Sequence, residues 1–132
     1  VCPLPARRPP VMDSDVTTLF LLRSEPLGST RLRAGLDSVL GFAVFQQVPT
    51  VLFSQDAVLA LCPRPDASDR AVPDLRKLID SFPMYDVESI WVDGESLAQR
   101  AIEPDLLPAF ARIATAEERR RLLATAPAVL SY

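Results

Sequence analysis

The chain has 132 residues, enough to bury a core without disulfides or metals, with 48% hydrophobic and 23% charged residues and a formal net charge of -3. No apolar run reaches the ~20 residues of a membrane span, and the net charge offers no general attraction for polyphosphate, so neither a membrane nor nucleic acid is an expected partner. The absence of histidine removes Ser-His-Asp, Cys-His and histidine-metal chemistry together.

Residues 1–15, "VCPLPARRPPVMDSD", hold four prolines and no periodicity and read as a disordered leader. Met12, just ahead of the first patterned segment, is the expected natural start, and one domain is expected over 16–132. Cys2 and Cys62 form no CxxC pair and read as reduced thiols of a cytoplasmic chain.

"VTTLFLLR" (16–23) is a β-branched and apolar run, the pattern of a central strand buried on both faces. Ser29 or Thr30 is placed to cap a helix over 30–47. Two adjacent stripes of that helix, Leu32-Leu36-Val39-Ala43 and Leu36-Leu40-Val44, are apolar, which predicts wide burial. "PTVLFS" (49–54) reads as a second strand with proline at its first position. "QDAVLALC" (55–62) reads as a short helix, 63–73 with three prolines as an exposed loop, and "DLRKLIDSF" (74–82) as an amphipathic helix capped by Asp74.

"SIWV" then gives a third strand and "ESLAQRAI" a helix. "AFARI" is a candidate short strand, and "TAEERRRLLATA" a helix whose Thr115 and Glu118 fit a capping box. "AVLSY" closes the chain as a strand. The alternation predicts an α/β fold: three layers, a mainly parallel five-stranded sheet, and helices on both faces.

Four places bear on chemistry. Ser29, Thr30, Arg31 and Arg33 at the first helix start are ingredients of an anion site, without a GxGxxG or P-loop pattern. Cys62 falls at a helix C-terminus, which disfavours thiolate, and reads as an inert thiol despite Arg64 nearby. "EERRR" (117–121) reads as a solvated charged face in which Glu117 and Glu118 pair with neighbouring arginines. Asp93 ends the third strand in "WVDGES". With no histidine, no second convergent carboxylate and no metal motif, it reads as the N-cap of the following helix, acting with Ser96. No cofactor and no metal are expected.

Several fragments together resemble the DsrE/DsrF-like sulfur-relay family, within it the TusC/DsrF branch. They are "LFLLRSEPLGSTRLRAGLDSVL", carrying Arg33, Gly35, Leu36 and Asp37; "VLFSQDAVLALCP"; "FPMYDVESIWVDGESLAQRAI", carrying Tyr85, Asp86, Trp91, Val92, Ser96 and Leu97; and the "VLSY" tail. The similarity runs over roughly 17–132.

The resemblance implies a small α/β subunit of a cytoplasmic relay that hands on persulfide sulfur, in one version a heterohexamer serving 2-thiolation of the wobble uridine of tRNA. The family's carrier subunit holds a cysteine just after the strand matching "SIWV". This chain has Asp93 there, which implies a non-carrier partner of a cysteine-bearing DsrE/TusD-like sister and a small TusB/DsrH-like one, with Phe42, Phe45, Tyr85 and Trp91 as interface candidates. The alternative is a homo-oligomeric DsrE-type protein of sulfur oxidation that uses Cys62 or binds a small anion at the first turn.

Overall fold

The computed structural model describes residues 18–26, 30–45, 49–62 and 75–132. The leader expected over 1–15, the loop over 63–73, the Asp74 cap and Ser29 lie outside them.

The strands are β1 (Thr18–Leu22), β2 (Pro49–Phe53), β3 (Ser89–Asp93), β4 (Arg112–Ala114) and β5 (Val129–Ser131). They form one sheet in the order β4-β3-β2-β1-β5, and every pairing is parallel. The helices are α1 (Arg31–Val44), α2 (Leu75–Asp80), α3 (Gly94–Gln99) and α4 (Ala116–Thr125). A 3-10 segment, Gln55–Leu61, follows β2, and a shorter one, Phe82–Tyr85, precedes β3. The expected parallel α/β sheet with helices on both faces is present.

The two faces are covered unequally. Side chains alternate along a strand, so Phe20, Leu22, Val51, Phe53, Ile90 and Val92 share one face. There they pack with Leu32, Leu36 and Val39 of α1, Val58 and Leu61 of the first 3-10 segment, Ile79 of α2 and Leu97 of α3. Leu19 and Leu52 point the other way and meet Leu122 of α4, with Leu21, Trp91 and Leu123 at the margin. Four helical pieces and more cover the first face, and α4 covers the second among the described residues.

The wide burial expected of α1 is corrected. Leu32, Gly35, Leu36 and Val39 are buried, Leu40, Phe42 and Ala43 are half-buried, and Val44 and Phe45 are exposed. The helix also stops at Val44 rather than running to 47. A helix packed on a sheet buries one stripe; the second stripe lies at the margin of the contact and leaves it at the C-terminal turn.

Gly35 explains part of the Arg-x-Gly-Leu-Asp segment. A Cβ at this position would lie 2.7 Å from Leu22 Cδ2 and 2.9 Å from both Cβ and Cγ of Tyr132. Only a hydrogen lets α1 approach β1 and the closing residue this closely. Tyr132 is held there by its N-H on the Leu21 carbonyl at 2.9 Å and by its hydroxyl on Ser38 Oγ at 3.1 Å, with its ring stacked 6.4 Å from that of Phe20.

A cluster at the end of strand three

The C-terminal ends of β2 and β3, where chain connections diverge in a parallel sheet, carry the most constrained polar group in the described chain. Asp93 ends β3, its side chain 3% exposed. It shares the face of Trp91, two residues earlier, so the carboxylate points towards the α4 layer. Arg119 Nη1 donates to Asp93 Oδ2 at 2.9 Å, and Ser96 Oγ donates to the same oxygen at 2.7 Å. Ser96 Oγ in turn accepts from the backbone N-H of Gln55 at 2.8 Å. Gln55 has a φ of 54°, a left-handed value uncommon outside glycine, which begins the 3-10 segment directly after β2. One carboxylate thus joins the ends of β2 and β3, the first turn of α3 and the inner face of α4.

Asp93 Oδ1 is buried without a hydrogen-bond partner. Both available donors go to Oδ2, so the carboxylate is held on one side only, at a desolvation cost of about 1–3 kcal/mol for the orphan acceptor. Gly94 keeps the neighbouring edge close: a Cβ there would meet Ile113 Cγ2 at 3.0 Å and the Ala114 carbonyl oxygen at 3.2 Å. A second tie runs beside the cluster, where Arg100 Nη2 and Nε donate to Asp56 Oδ1 at 2.9 and 3.1 Å and Nη1 donates to the Ser96 carbonyl.

The capping role expected for Asp93 is corrected. It stands at the N-cap position of α3, yet its side chain accepts no backbone N-H of that helix. Ser96 uses its hydroxyl proton on the carboxylate, and Arg119 supplies the charge. The carboxylate is the centre of a buried ion pair.

The solvated reading of "EERRR" holds for Glu117, Arg120 and Arg121, which are exposed, and is corrected at Arg119. Arg119 turns inward, and Glu118 closes the predicted capping box: its backbone N-H donates to Thr115 Oγ1 at 3.2 Å and its Oε1 accepts from Thr115 N at 2.9 Å. Those bonds lower the Glu118 pKa, the backbone hydrogen bond from Thr115 first, with Arg121 adding to the effect. Arg119 was readable in principle. It lies three residues before the buried Leu122, on the stripe that faces the sheet.

The other candidates are dispersed. At the first helix start Thr30 makes no side-chain cap bond, and Arg33 Nε is paired with Asp37 at 3.3 Å one turn later on the exposed side of the same helix. Arg31 is exposed. Cys62 terminates the 3-10 segment after β2, half-buried, its pKa raised by burial and partly lowered again by the charge of Arg76. Phe42 is half-buried, edge-to-face on Phe20 at 5.0 Å, while Phe45 and Tyr85 are exposed. Trp91 is half-buried on the α4 face with Arg112 over its ring at 5.6 Å. Among the described residues no group of three acidic or cysteine side chains is arranged to hold a metal ion, and no helix is long and apolar enough to cross a membrane.

No family model matches the sequence. The fold is similar to that in the crystal structure of ychN protein from E. coli, with a TM-score of 0.76 and 16% identity, covering 89% of this chain and 99% of that one. In sequence the chain is 32% identical over 113 residues to Protein TusC homolog of Vibrio parahaemolyticus, the alignment covering 86% of this chain and 96% of the relative. At that identity over nearly the whole length of both proteins, the chain belongs to the TusC family.

Proposed function

We propose that this chain is a non-carrier subunit of a cytoplasmic sulfur relay, serving 2-thiolation of the tRNA wobble uridine beside a cysteine-bearing sister. The observation that carries the reading is Asp93. It stands at the strand end where the family resemblance puts the carrier cysteine, and it is buried and tied to Arg119 and Ser96. Persulfide transfer needs a divalent sulfur nucleophile, usually activated as thiolate. A carboxylate offers no sulfur, and this one is closed over by α4.

The competing reading, sulfur carried on Cys62, has a weaker footing. That thiol is partly withdrawn from solvent, and burial disfavours its thiolate. The role that remains for the strand end is architectural: it keeps the ends of β2 and β3 and the start of α4 in fixed register, so that the chain presents a rigid surface to its partners.

Co-expression with a cysteine-bearing sister, followed by affinity purification through the sister, tests this reading. The expected result is recovery of both chains in a fixed ratio, retained in tRNA-thiolating extracts and required there for 2-thiouridine formation. Normal 2-thiouridine levels in cells lacking this chain would overturn it.

A further inference from the structure

Gln55–Leu61 is seven residues of continuous 3-10 helix, about twice the length at which such runs usually end. Its three-residue hydrogen bonds run from the first turn, where Ala57 N-H donates to the Ser54 carbonyl at 3.1 Å, to the last, where Cys62 N-H donates to that of Leu59 at 3.3 Å. Over this length the α-helix is the better-bonded winding. Contacts from outside the segment therefore hold the tighter one.

Both ends are held. Ser54 N-H donates to the Leu22 carbonyl at 2.8 Å, and Gln55 N-H to Ser96 Oγ at 2.8 Å. At the other end Arg76 Nη1 donates to the Leu61 carbonyl and to that of Leu106, the latter at 2.8 Å. Seven residues rise about 14 Å as a 3-10 helix and about 10.5 Å as an α-helix, so fixed ends keep the segment drawn out. Gln55 is the weak point, because its left-handed φ of 54° is unfavourable for a residue with a Cβ.

Ser96 can accept the Gln55 N-H only while its own proton points elsewhere, and Asp93 Oδ2 takes that proton at 2.7 Å. Arg119 Nη1 fixes the same oxygen from α4 at 2.9 Å. Oδ1 is buried without a partner, and this unmet acceptor favours reorientation of the carboxylate as soon as Arg119 leaves.

We propose that Arg119, Asp93 and Ser96 form a clasp that keeps Gln55 left-handed and Gln55–Leu61 in its 3-10 form, so that lifting α4 lets the segment rewind towards α-helix. The clasp is a contiguous chain of hydrogen bonds from the α4 layer to the opposite layer, where Ala57, Val58 and Leu61 are packed. Arg100 also ties Asp56 to α3, but through side chains, which leave the Gln55 torsion free. The end that shifts on rewinding carries Cys62. The clasp works in the same way whether or not the chain serves a sulfur relay.

Residue-resolved amide hydrogen exchange by NMR on the full chain tests it, with the buried β1 residues Phe20 and Leu22 as the reference for global opening. Ser96→Ala and Arg119→Ala are each expected to speed exchange over 57–61 roughly tenfold more than at the β1 reference, and to move the Cα shifts of 56–61 towards α-helical values. The double variant is expected to match Ser96→Ala alone over 57–61, because both changes act through one chain of bonds. Arg120→Ala, an exposed position on the same helix, leaves 57–61 at the wild-type rate. Circular-dichroism melts confirm folding, and Arg119→Gln is read in the same way should Arg119→Ala unfold the chain. Loss of Arg119 that speeds exchange in α4 alone, or in 57–61 and β1 alike, overturns the proposal. So do Cα shifts over 56–61 that stay at their wild-type values, or a double variant whose effects over 57–61 add.

Discussion

Arg119 Nη1 lies 2.9 Å from Asp93 Oδ2, and this contact fastens α4 to the end of β3 in a place where the carboxylate is almost wholly withdrawn from water. Removing one partner of a buried pair leaves the other uncompensated, at about 3–5 kcal/mol. The two partners differ in what they can do afterwards. Arg119, about a quarter exposed, can swing into solvent; Asp93 cannot. Arg119→Ala is therefore expected to cost about 3 kcal/mol, the low end of the buried-pair range because the pair reaches the surface at one end, and Asp93→Ala less, about 1–2 kcal/mol. Urea unfolding of both single variants and the double variant gives the coupling. An Arg119→Ala cost no larger than the roughly 0.5 kcal/mol of an ordinary surface change would contradict the geometry.

Gly35→Ala pits helix propensity against packing. Alanine is favoured by up to ~1 kcal/mol in a helix interior, but the added carbon would fall 2.9 Å from Cβ and Cγ of Tyr132, atoms close to the backbone that cannot step aside as a side-chain tip does. Overpacking of this kind costs about 1–3 kcal/mol. A net loss of about 1 kcal/mol is the expected outcome in thermal or urea unfolding, and a Gly35→Ala variant as stable as the wild type would contradict it.

The capping box at Thr115 makes a prediction in pH. Thr115→Ala is expected to lose about 1 kcal/mol near neutral pH. The sign of the pH effect follows from Glu118. Its folded-state pKa lies below the ordinary glutamate value of 4.5, so its contribution is present above that value and is lost as pH falls through the folded pKa. The difference between wild type and Thr115→Ala should shrink as the pH drops below the ordinary glutamate range. A difference that stays constant down to pH 3 would show that the hydroxyl acts alone.

Much of the fold was legible in the sequence, and the reason is that its elements are short and sharply bounded. The largely apolar runs at 18–22 and 49–53 read as strands, and the Thr115-x-x-Glu118 spacing gives a helix start that the hydrogen bonds reproduce. What the sequence withheld were relationships between elements. Nothing local to "EERRR" says that Arg119 meets a carboxylate 26 positions earlier, although its spacing to Leu122 puts it on the inner stripe. Likewise the apolar second stripe of α1 looked like core, yet Leu40 is only half-buried and Val44 is exposed, because a helix packed on a sheet buries one stripe. Asp93 stood out from the start as a strand-end carboxylate. Its neighbours alone could not distinguish a helix cap from half of an ion pair.

Cys62 is expected to alkylate slowly. In a Cys2→Ser background the single remaining thiol is half-buried with a raised pKa, so its iodoacetamide rate at neutral pH should fall well below that of a small free thiol and rise steeply as the pH is taken above 9. A rate above the free-thiol reference would mark an activated sulfur and would favour the Cys62 reading of the relay.

The most direct test of the non-carrier assignment is sulfur transfer itself. The purified chain is incubated with a persulfide-loaded cysteine-bearing sister, and each polypeptide is read by intact mass and then by peptide mapping under non-reducing conditions. The account predicts that the sister retains the transferable sulfur and that this chain gains none at Cys62 or Cys2. A persulfide on either cysteine, formed at the rate of the relay and passed on to an acceptor, would contradict it.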